Sequence, residues 1–154
     1  MGINELAVNY EKATQLFFDA VAEVSPADLD SAPDGEWTTR QIIHHQAHAD
    51  SYCLTRIIQV VSEPGTPIRS FSEAALVDSE VLAYATTPIE SSLALLQAVR
   101  SEVLRILKSA KDSDLSKVCI HSEMGEISME MMVVRYTEHP TGHAQQIRET
   151  VKRP

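Results

Sequence analysis

Four stretches of this 154-residue chain repeat apolar residues every three or four positions, which is the spacing of side chains on one face of an α-helix. They cover residues 3–24, 38–62, 87–107 and 128–151. An amphipathic helix of this kind becomes stable in water when its apolar face is buried against other elements. The chain therefore predicts a single all-α domain over residues 1–154, built as a four-helix bundle.

Capping residues mark the starts of the second and third helices. Thr38 can accept a hydrogen bond from the backbone N–H of Gln41, whose side chain can return one, as in a capping box. Thr87 is predicted to cap the third helix, followed by Pro88 at the first helical position and Glu90 three residues after the cap. These signals predict that the helices begin directly after Thr38 and Thr87.

Two connections are too irregular to predict long helices. The segment 66–86 is ambiguous and is expected to hold a short helix around residues 73–84, whereas the segment 112–127 is expected to be loosely structured. The longer connection is therefore predicted between the second and third long helices.

Charge and hydropathy exclude several classes of function. The formal net charge is -9 and Lys and Arg are not clustered, so we expect no nucleic-acid partner. No apolar run approaches the roughly 18 residues that cross a bilayer, and the N-terminus lacks the pattern of a signal peptide. We therefore expect a cytoplasmic protein with no membrane partner, in which Cys53 and Cys119 are small buried side chains rather than a disulfide.

The six histidines fall on different helix faces. The inward stripe of the second long helix is predicted to contain Ile42, His45, Ala49, Tyr52, Cys53 and Arg56. The inward stripe of the last helix is predicted to contain Met129, Met132, Tyr136, His139, His143 and Ile147. Since His139 and His143 are one turn apart, about 6 Å along the axis, both should point into the bundle with His45.

Three inward imidazoles can bind one divalent ion from two helices. Three protein ligands leave coordination positions open, which is typical of a catalytic rather than a structural metal site. Two alternatives remain open on the residues alone: hydrogen-bonded core histidines, and a surface chelate by His44 and His48 on a more polar face. His121, in the loose segment, is expected at the surface or at the rim of a site.

Two motifs around these histidines resemble the DinB/YfiT-like superfamily. Residues 36–45, in which Trp37 precedes an amphipathic helix and its metal-binding histidine by eight positions, resemble the second helix of that family, as do Asp50-Ser51-Tyr52 and Arg56. Residues 136–147 resemble the C-terminal element of the family, which carries two histidines one turn apart, and Gly125-Glu126 resembles the YfiT branch.

The resemblance implies an up-down-down-up bundle, usually a homodimer, with one divalent ion. Zinc or nickel is expected before manganese or iron, and the matching ligands are His45, His139 and His143. Relatives are often labelled metal-dependent hydrolases, and better understood members transfer bacillithiol, mycothiol or glutathione, or isomerise a thiol adduct. The implied partners are a small-molecule thiol and an electrophile.

Two positions depart from the family pattern. Asp50 is displaced by two residues from the Asp of the YfiT branch, so we do not assign it that role. Pro140 follows His139 directly, and a proline in a helix interior removes the hydrogen bond to the carbonyl of Tyr136 at a cost of about 3 kcal/mol. We expect a kinked helix with His139 still inward, because a helix restarting at Thr141 would turn His139 away.

Three functions follow as hypotheses. The favoured one is metal-dependent transfer of a low-molecular-weight thiol to a small electrophile; the others are a metal-dependent hydrolase and a non-enzymatic metal-binding bundle. No catalytic side chain is identified, since the reacting group would be a thiol or water on the ion. Residues expected to support the ligands are His48, Asp50, Glu138 and Gln146.

Overall fold

The structure is a computed structural model that describes residues 1–152, and positions 153–154 of the predicted domain lie outside the described residues. The helices are α1 (Ile3–Ala22), α2 (Thr39–Ser62), α3 (Glu73–Val77), α4 (Glu90–Ser109) and α5 (Met129–Lys152). The connections also contain a 3₁₀ turn (Asp112–Ser116) and three strands, β1 (Pro67–Ile68), β2 (Val118–His121) and β3 (Gly125–Ser128). No helix in this described part is long and apolar enough to cross a bilayer.

Two apolar clusters show which of the long helices run parallel and which run antiparallel. One cluster joins the first halves of α1 and α5 to the second halves of α2 and α4, and includes Leu6, Ile57, Val103 and Met132. The other joins the opposite halves and includes Phe17, Ile43, Leu96 and Ile147. Helices α1 and α5 are therefore parallel to each other and antiparallel to α2 and α4, which confirms the predicted up-down-down-up bundle.

The packing of the bundle places the two histidine-bearing helices side by side. Helix α1 packs against α4 and α5, and α2 packs against the same two helices from the other side. Because α2 is covered by α4 as well as by α5, it buries two faces rather than one. This double burial decides the environment of every histidine on α2.

The predicted capping box at the start of α2 is present. The Thr38 hydroxyl accepts from the Gln41 backbone N–H at 3.3 Å, and the Gln41 side chain accepts from the Thr38 backbone N–H at 2.9 Å. The predicted cap of α4 is wrong. This helix begins at Glu90 without a side-chain cap, because the Thr87 hydroxyl instead donates to the Ala83 carbonyl at 2.9 Å.

The sequence reading missed a small sheet. Strand β2 lies between β1, which is parallel to it, and β3, which is antiparallel. The predicted loose segment 112–127 thus holds a 3₁₀ turn and most of a hairpin, and the short helix of the other connection ends at Val77 rather than near residue 84. Strands of two to four residues are too short to show a clear alternation of apolar and polar residues.

Candidate metal centre

The three predicted ligands, His45, His139 and His143, converge between α2 and α5, and we call them the histidine cluster. Nε2 of His139 lies 3.1 Å from Nε2 of His45 and 3.0 Å from Nε2 of His143. One nitrogen of each ring lies within 4.8 Å of the others, and among the described residues this is the group of His, Cys, Asp and Glu that could hold an ion. The structure therefore brings together all three residues.

The geometry of these nitrogens fits a shared metal ion. Imidazole nitrogens that bind one zinc ion at about 2.0–2.1 Å are about 3 Å apart, which is the separation seen on both sides of His139. Hydrogen bonding alone fits less well, since a neutral imidazole has only one N–H and a metal ion can use all three lone pairs.

Burial keeps the cluster in the neutral form that metal binding requires. Burial, with smaller contributions from His143 and His48, lowers the pKa of His45 to about 4. Burial also lowers the pKa of His139 to about 3, assisted by the two other cluster histidines. The pKa of His143 is lowered by burial as well. Protons therefore compete weakly with a metal ion for these nitrogens near neutral pH.

Side chains around the cluster orient its rings. Nδ1 of His143 donates to Oε1 of Gln146 at 2.9 Å, which leaves the lone pair on Nε2 facing the cluster. The Trp37 ring stacks near His143 and lies closer to His45, with centroid distances of 6.3 Å and 4.9 Å. The amide nitrogen of Gln46 lies 3.4 Å from Nδ1 of His139.

Sequence reasoning missed Gln46. The residue is fully buried although its side chain is polar, and it lies between Ile42 and Asp50 at steps of four on α2. This spacing was the available signal, since a polar residue on a buried stripe needs a partner. The predicted inward stripe does not include Gln46, because that prediction assumes one buried face and α2 buries two.

Of the four residues predicted to support the ligands, one contacts the cluster and three do not. Gln146 contacts a cluster histidine directly, as described above. His48 instead bonds to the Tyr84 hydroxyl at 2.5 Å, Asp50 forms an ion pair with Arg100 at 3.0 Å, and Glu138 is exposed. These three form no hydrogen bond with the cluster among the contacts of the described residues.

The alternative site at His44 and His48 is not supported. His44 is buried, and its Nε2 donates to the Thr87 carbonyl at 3.0 Å while Nδ1 lies 2.8 Å from the Ser92 hydroxyl. The prediction of a polar surface face was wrong because α4 covers this side of α2. Tyr52 was also misplaced, since 44% of its surface is exposed.

His139 faces inward although Pro140 follows it, because α5 continues through the proline. The Tyr136 carbonyl, which loses its helical donor at Pro140, accepts instead from the Arg100 guanidinium at 3.3 Å. Arg100 is fully buried, and it also donates to Thr14 Oγ1 at 2.5 Å. This long-range donor removes the need for the helix to restart at Thr141.

A cleft of about 220 Å³ opens beside His139. The residues that line it include Cys53, Arg56, His121, Arg135 and Tyr136. His121 was predicted at the surface or at a site rim; it is 8% exposed, and its Nδ1 accepts from the backbone N–H groups of Glu123 and Met124. Cys53 and Cys119 are buried free thiols, as predicted.

The chain is similar to known proteins over a range of residues that includes all three cluster histidines. The family model of the DinB superfamily matches residues 9–147. A protein of Oceanobacillus iheyensis named "Putative metal-dependent hydrolase" is 28% identical over 155 residues, which cover 98% of this chain and 87% of the relative.

Two solved structures share the fold. "YfiT from Bacillus subtilis", described as "a probable metal-dependent hydrolase with an unusual four-helix bundle topology", has a TM-score of 0.85 and 25% identity, covering 96% of this chain and 84% of YfiT. A mycothiol-dependent maleylpyruvate isomerase has a TM-score of 0.76 and 14% identity, and the match covers 96% of this chain and 61% of the isomerase. At that identity, the second similarity concerns the fold alone.

Proposed function

This chain belongs to the DinB superfamily, and we propose that it is a metal-dependent enzyme that transfers a low-molecular-weight thiol to a small electrophile. The ion would be held by Nε2 of His45, His139 and His143. The observation that carries this proposal is that three imidazole nitrogens face each other rather than protein oxygen atoms. Imidazole ligands suit zinc, nickel, iron and copper, and we propose zinc or nickel because the family resemblance implies these ions first.

The bound ion, the side chains around it and the adjacent cleft would each have a different role. A divalent ion supplies one chemical effect when bound, since it lowers the pKa of a coordinated thiol or water. Gln146 fixes the tautomer of His143, and Trp37 covers one side of the cluster. The cleft beside His139 would admit a small substrate.

Within residues 1–152, no carboxylate stands next to the ligand nitrogens as a general base, and this favours a thiol over water as the attacking group. In HExxH zinc hydrolases, a glutamate next to the ligands serves as the general base. No carboxylate of residues 1–152 joins the group of ligand atoms within 4.8 Å, and Asp50 is committed to the Arg100 ion pair. A coordinating thiol is deprotonated by the ion itself and does not depend on such a base.

Hydrolysis is the second candidate, and two observations favour it. The Oceanobacillus iheyensis relative carries the name of a hydrolase. In addition, Glu73 lines the same cleft as His139, and its charge opposes the lowering of the His143 pKa by burial. Glu73 is therefore the carboxylate that would accept a proton from an attacking water.

The two candidates can be separated with one pair of assays on zinc- or nickel-loaded protein. The first assay follows adduct formation between 1-chloro-2,4-dinitrobenzene and cysteine, glutathione or bacillithiol; the second follows p-nitrophenyl acetate cleavage without thiol. Thiol transfer predicts a rate that saturates with one thiol, disappears in His143→Ala and persists in Glu73→Gln.

Other outcomes would contradict the proposal. Ester cleavage without thiol that is lost in Glu73→Gln would replace it with the hydrolase. Stoichiometric metal without turnover in either assay, over the full panel of thiols, would leave a non-enzymatic metal-binding bundle. His44→Ala serves as a matched control, because it removes a neighbouring buried histidine outside the cluster.

A further inference from the structure

Among the arginines of residues 1–152, three form no ion pair, and two of these line the cleft beside His139. The arginines that form ion pairs are Arg40, Arg100, Arg105 and Arg148. Within residues 1–152, neither Arg56 nor Arg135 lies within ion-pair distance of a carboxylate, and both line the cleft beside His139. Arg69 also lacks an ion pair in this part of the chain, but it does not line the cleft.

The two guanidinium groups approach the cleft from different helices. Arg56 is on α2, where its Nη2 donates to the Arg69 carbonyl at 2.6 Å and its Cζ lies 5.2 Å from the centre of the Phe71 ring. Arg135 is on α5, one turn before His139, so the two side chains share a helix face. A ligand held by both arginines would therefore lie next to the histidine cluster.

The positive charges of Arg56 and Arg135 change the pKa values of two neighbouring side chains, Tyr136 and His121. Burial raises the pKa of Tyr136, and the charges of Arg56 and Arg135 oppose this effect. Burial lowers the pKa of His121, and the same two arginines lower it further, against the opposing charge of Glu123. Both guanidinium groups are thus close to the same wall of the cleft, which Tyr136 and His121 form.

Two carboxylates also line the cleft and restrict what it can bind. Glu123 accepts from the Ser70 hydroxyl at 2.8 Å, and Glu73 lies in the first turn of α3. The cleft is therefore not uniformly positive, and a molecule with anionic groups at every end would be repelled by one wall. These charges favour a ligand whose anionic group is at one end.

We propose that this cleft binds a small organic oxyanion, with its carboxylate or phosphate group held by Arg56 and Arg135 and the rest of the molecule directed towards His139. Arginine matches both groups with two parallel hydrogen bonds. The volume of about 220 Å³ is below the range of about 300–1,000 Å³ for drug-sized ligands, so the ligand is small. Its role as a substrate rests on the proposed function, whereas its binding does not.

The test is calorimetric titration of zinc-loaded protein with propionate, methylphosphonate and the neutral amide propionamide. We expect the two anions to be distinguished by affinity and propionamide not to bind. Arg56→Met and Arg135→Met should each weaken binding of the preferred anion by about 10- to 100-fold, the range for hydrogen bonds to charged groups. Arg69→Met, the matched control outside the cleft, should bind as wild type.

Three further variants separate this inference from the proposed function and from misfolding. His143→Ala, which is expected to lose the metal, should still bind the preferred anion through the arginines. Arg56→Lys and Arg135→Lys, which keep the charge, should restore part of the affinity and exclude misfolding as the cause of the loss.

The inference would be overturned by any of three results. These are no binding of either anion, equal binding of propionamide, or binding that depends on the metal and not on the two arginines. Anion binding through the arginines in a protein that takes up no metal would instead refute the proposed function and keep the cleft assignment.

Discussion

Helix α2 carries three histidines that face two sides of the bundle; His44 and His45 are buried, whereas His48 is half-buried. On the α4 side, which we call the outer pair, the ring nitrogens of His44 and His48 contact oxygen atoms of Thr87, Ser92 and Tyr84. On the α5 side, the histidine cluster places Nε2 of His45 opposite nitrogen atoms of two other rings. Oxygen atoms contact both ring nitrogens of His44 and Nδ1 of His48, whereas the cluster offers lone pairs to a cation.

The comparison shows that burial alone does not identify a metal ligand. His44 is 2% exposed and His45 is 0% exposed, and they are consecutive in sequence. What separates them is what packs on each face, since α4 presents the Ser92 hydroxyl and the connection before it presents the Thr87 carbonyl, while α5 presents imidazoles. The following predictions test this difference from the largest expected effect to the smallest.

Removing a cluster histidine should break the metal site, whereas removing an outer histidine should not. His45→Ala and His143→Ala each remove one of three ligands, so zinc affinity should fall by at least about 1,000-fold, on the order of 4 kcal/mol. His44→Ala should keep the metal but lose about 1–3 kcal/mol of folding stability, because Ser92 keeps a buried hydroxyl without a partner. Metal content after dialysis and urea denaturation measure the two effects; equal metal loss in His44→Ala would erase the distinction.

The stability of the fold around the cluster should also depend on Arg100, because this residue supports helix α5 at Pro140. Arg100→Met leaves Asp50 buried without its partner and the Tyr136 carbonyl without a donor, so unfolding should become easier by about 3–5 kcal/mol. In a Pro140→Ala background, the backbone N–H at position 140 can serve the Tyr136 carbonyl. The effect of Arg100→Met should therefore be smaller there by about 0.5–1.5 kcal/mol, the net contribution of one hydrogen bond.

A double-mutant cycle on urea denaturation measures this coupling between Arg100 and Pro140. The unpaired Asp50 contributes to both Arg100→Met variants and cancels in the cycle. Strictly additive effects would show that Arg100 supports the bundle through its other contacts, such as Asp50 and Thr14, and does not compensate for the proline.

Acidification should destabilise the metal-free protein through the cluster. The pKa of His45 is about 4 in the folded protein, against 6.5 for an unperturbed histidine. Between pH 6.5 and pH 4, His45 is therefore protonated in the unfolded state and neutral in the folded state. The neutral His45 therefore contributes stability above pH 6.5 that is lost as the pH falls towards 4, by about 3 kcal/mol.

Urea denaturation of metal-free protein between pH 7 and pH 4.5 checks this effect. His45→Asn should show a shallower loss of stability than wild type, because asparagine does not titrate. The same slope in both proteins would mean that His45 is not held neutral by its site.

Losing the contact between Gln146 and His143 should reduce metal affinity less than losing a ligand does. Gln146→Ala removes the acceptor for Nδ1–H of His143 and should weaken metal binding by about 10- to 100-fold, as loss of an outer contact of a metal ligand does. Gln146→Glu provides an acceptor again and should recover most of the affinity. Competition with a zinc-binding dye measures both, and wild-type affinity in Gln146→Ala would show that Nδ1 needs no acceptor.

The features that the sequence predicted are those set by local spacing. The four long helices follow from apolar periodicity, and the box of Thr38 and Gln41 was predicted because both partners lie within one helical turn. Thr87 has the same local pattern, yet its hydroxyl bonds to Ala83, a residue with a φ of 45° in the preceding turn. Local spacing cannot show which of two acceptors a hydroxyl will find.

The site was predictable to the extent that it follows helix faces. His45, His139 and His143 lie together because each falls on an inward stripe. The face of His44 was misjudged because a single helix pattern does not reveal that α4 covers a second side of α2. The bond between Arg100 and the Tyr136 carbonyl joins residues 36 positions apart, so no local pattern indicated how α5 tolerates Pro140.

The most direct test of the histidine cluster is anomalous diffraction from crystals of the zinc-loaded protein, collected on both sides of the zinc absorption edge. We predict one anomalous peak between α2 and α5, at about 2.0–2.1 Å from Nε2 of His45, His139 and His143. The absence of a peak at this position, or a peak at the outer pair or at a cysteine instead, would contradict the assignment of the cluster as the metal centre.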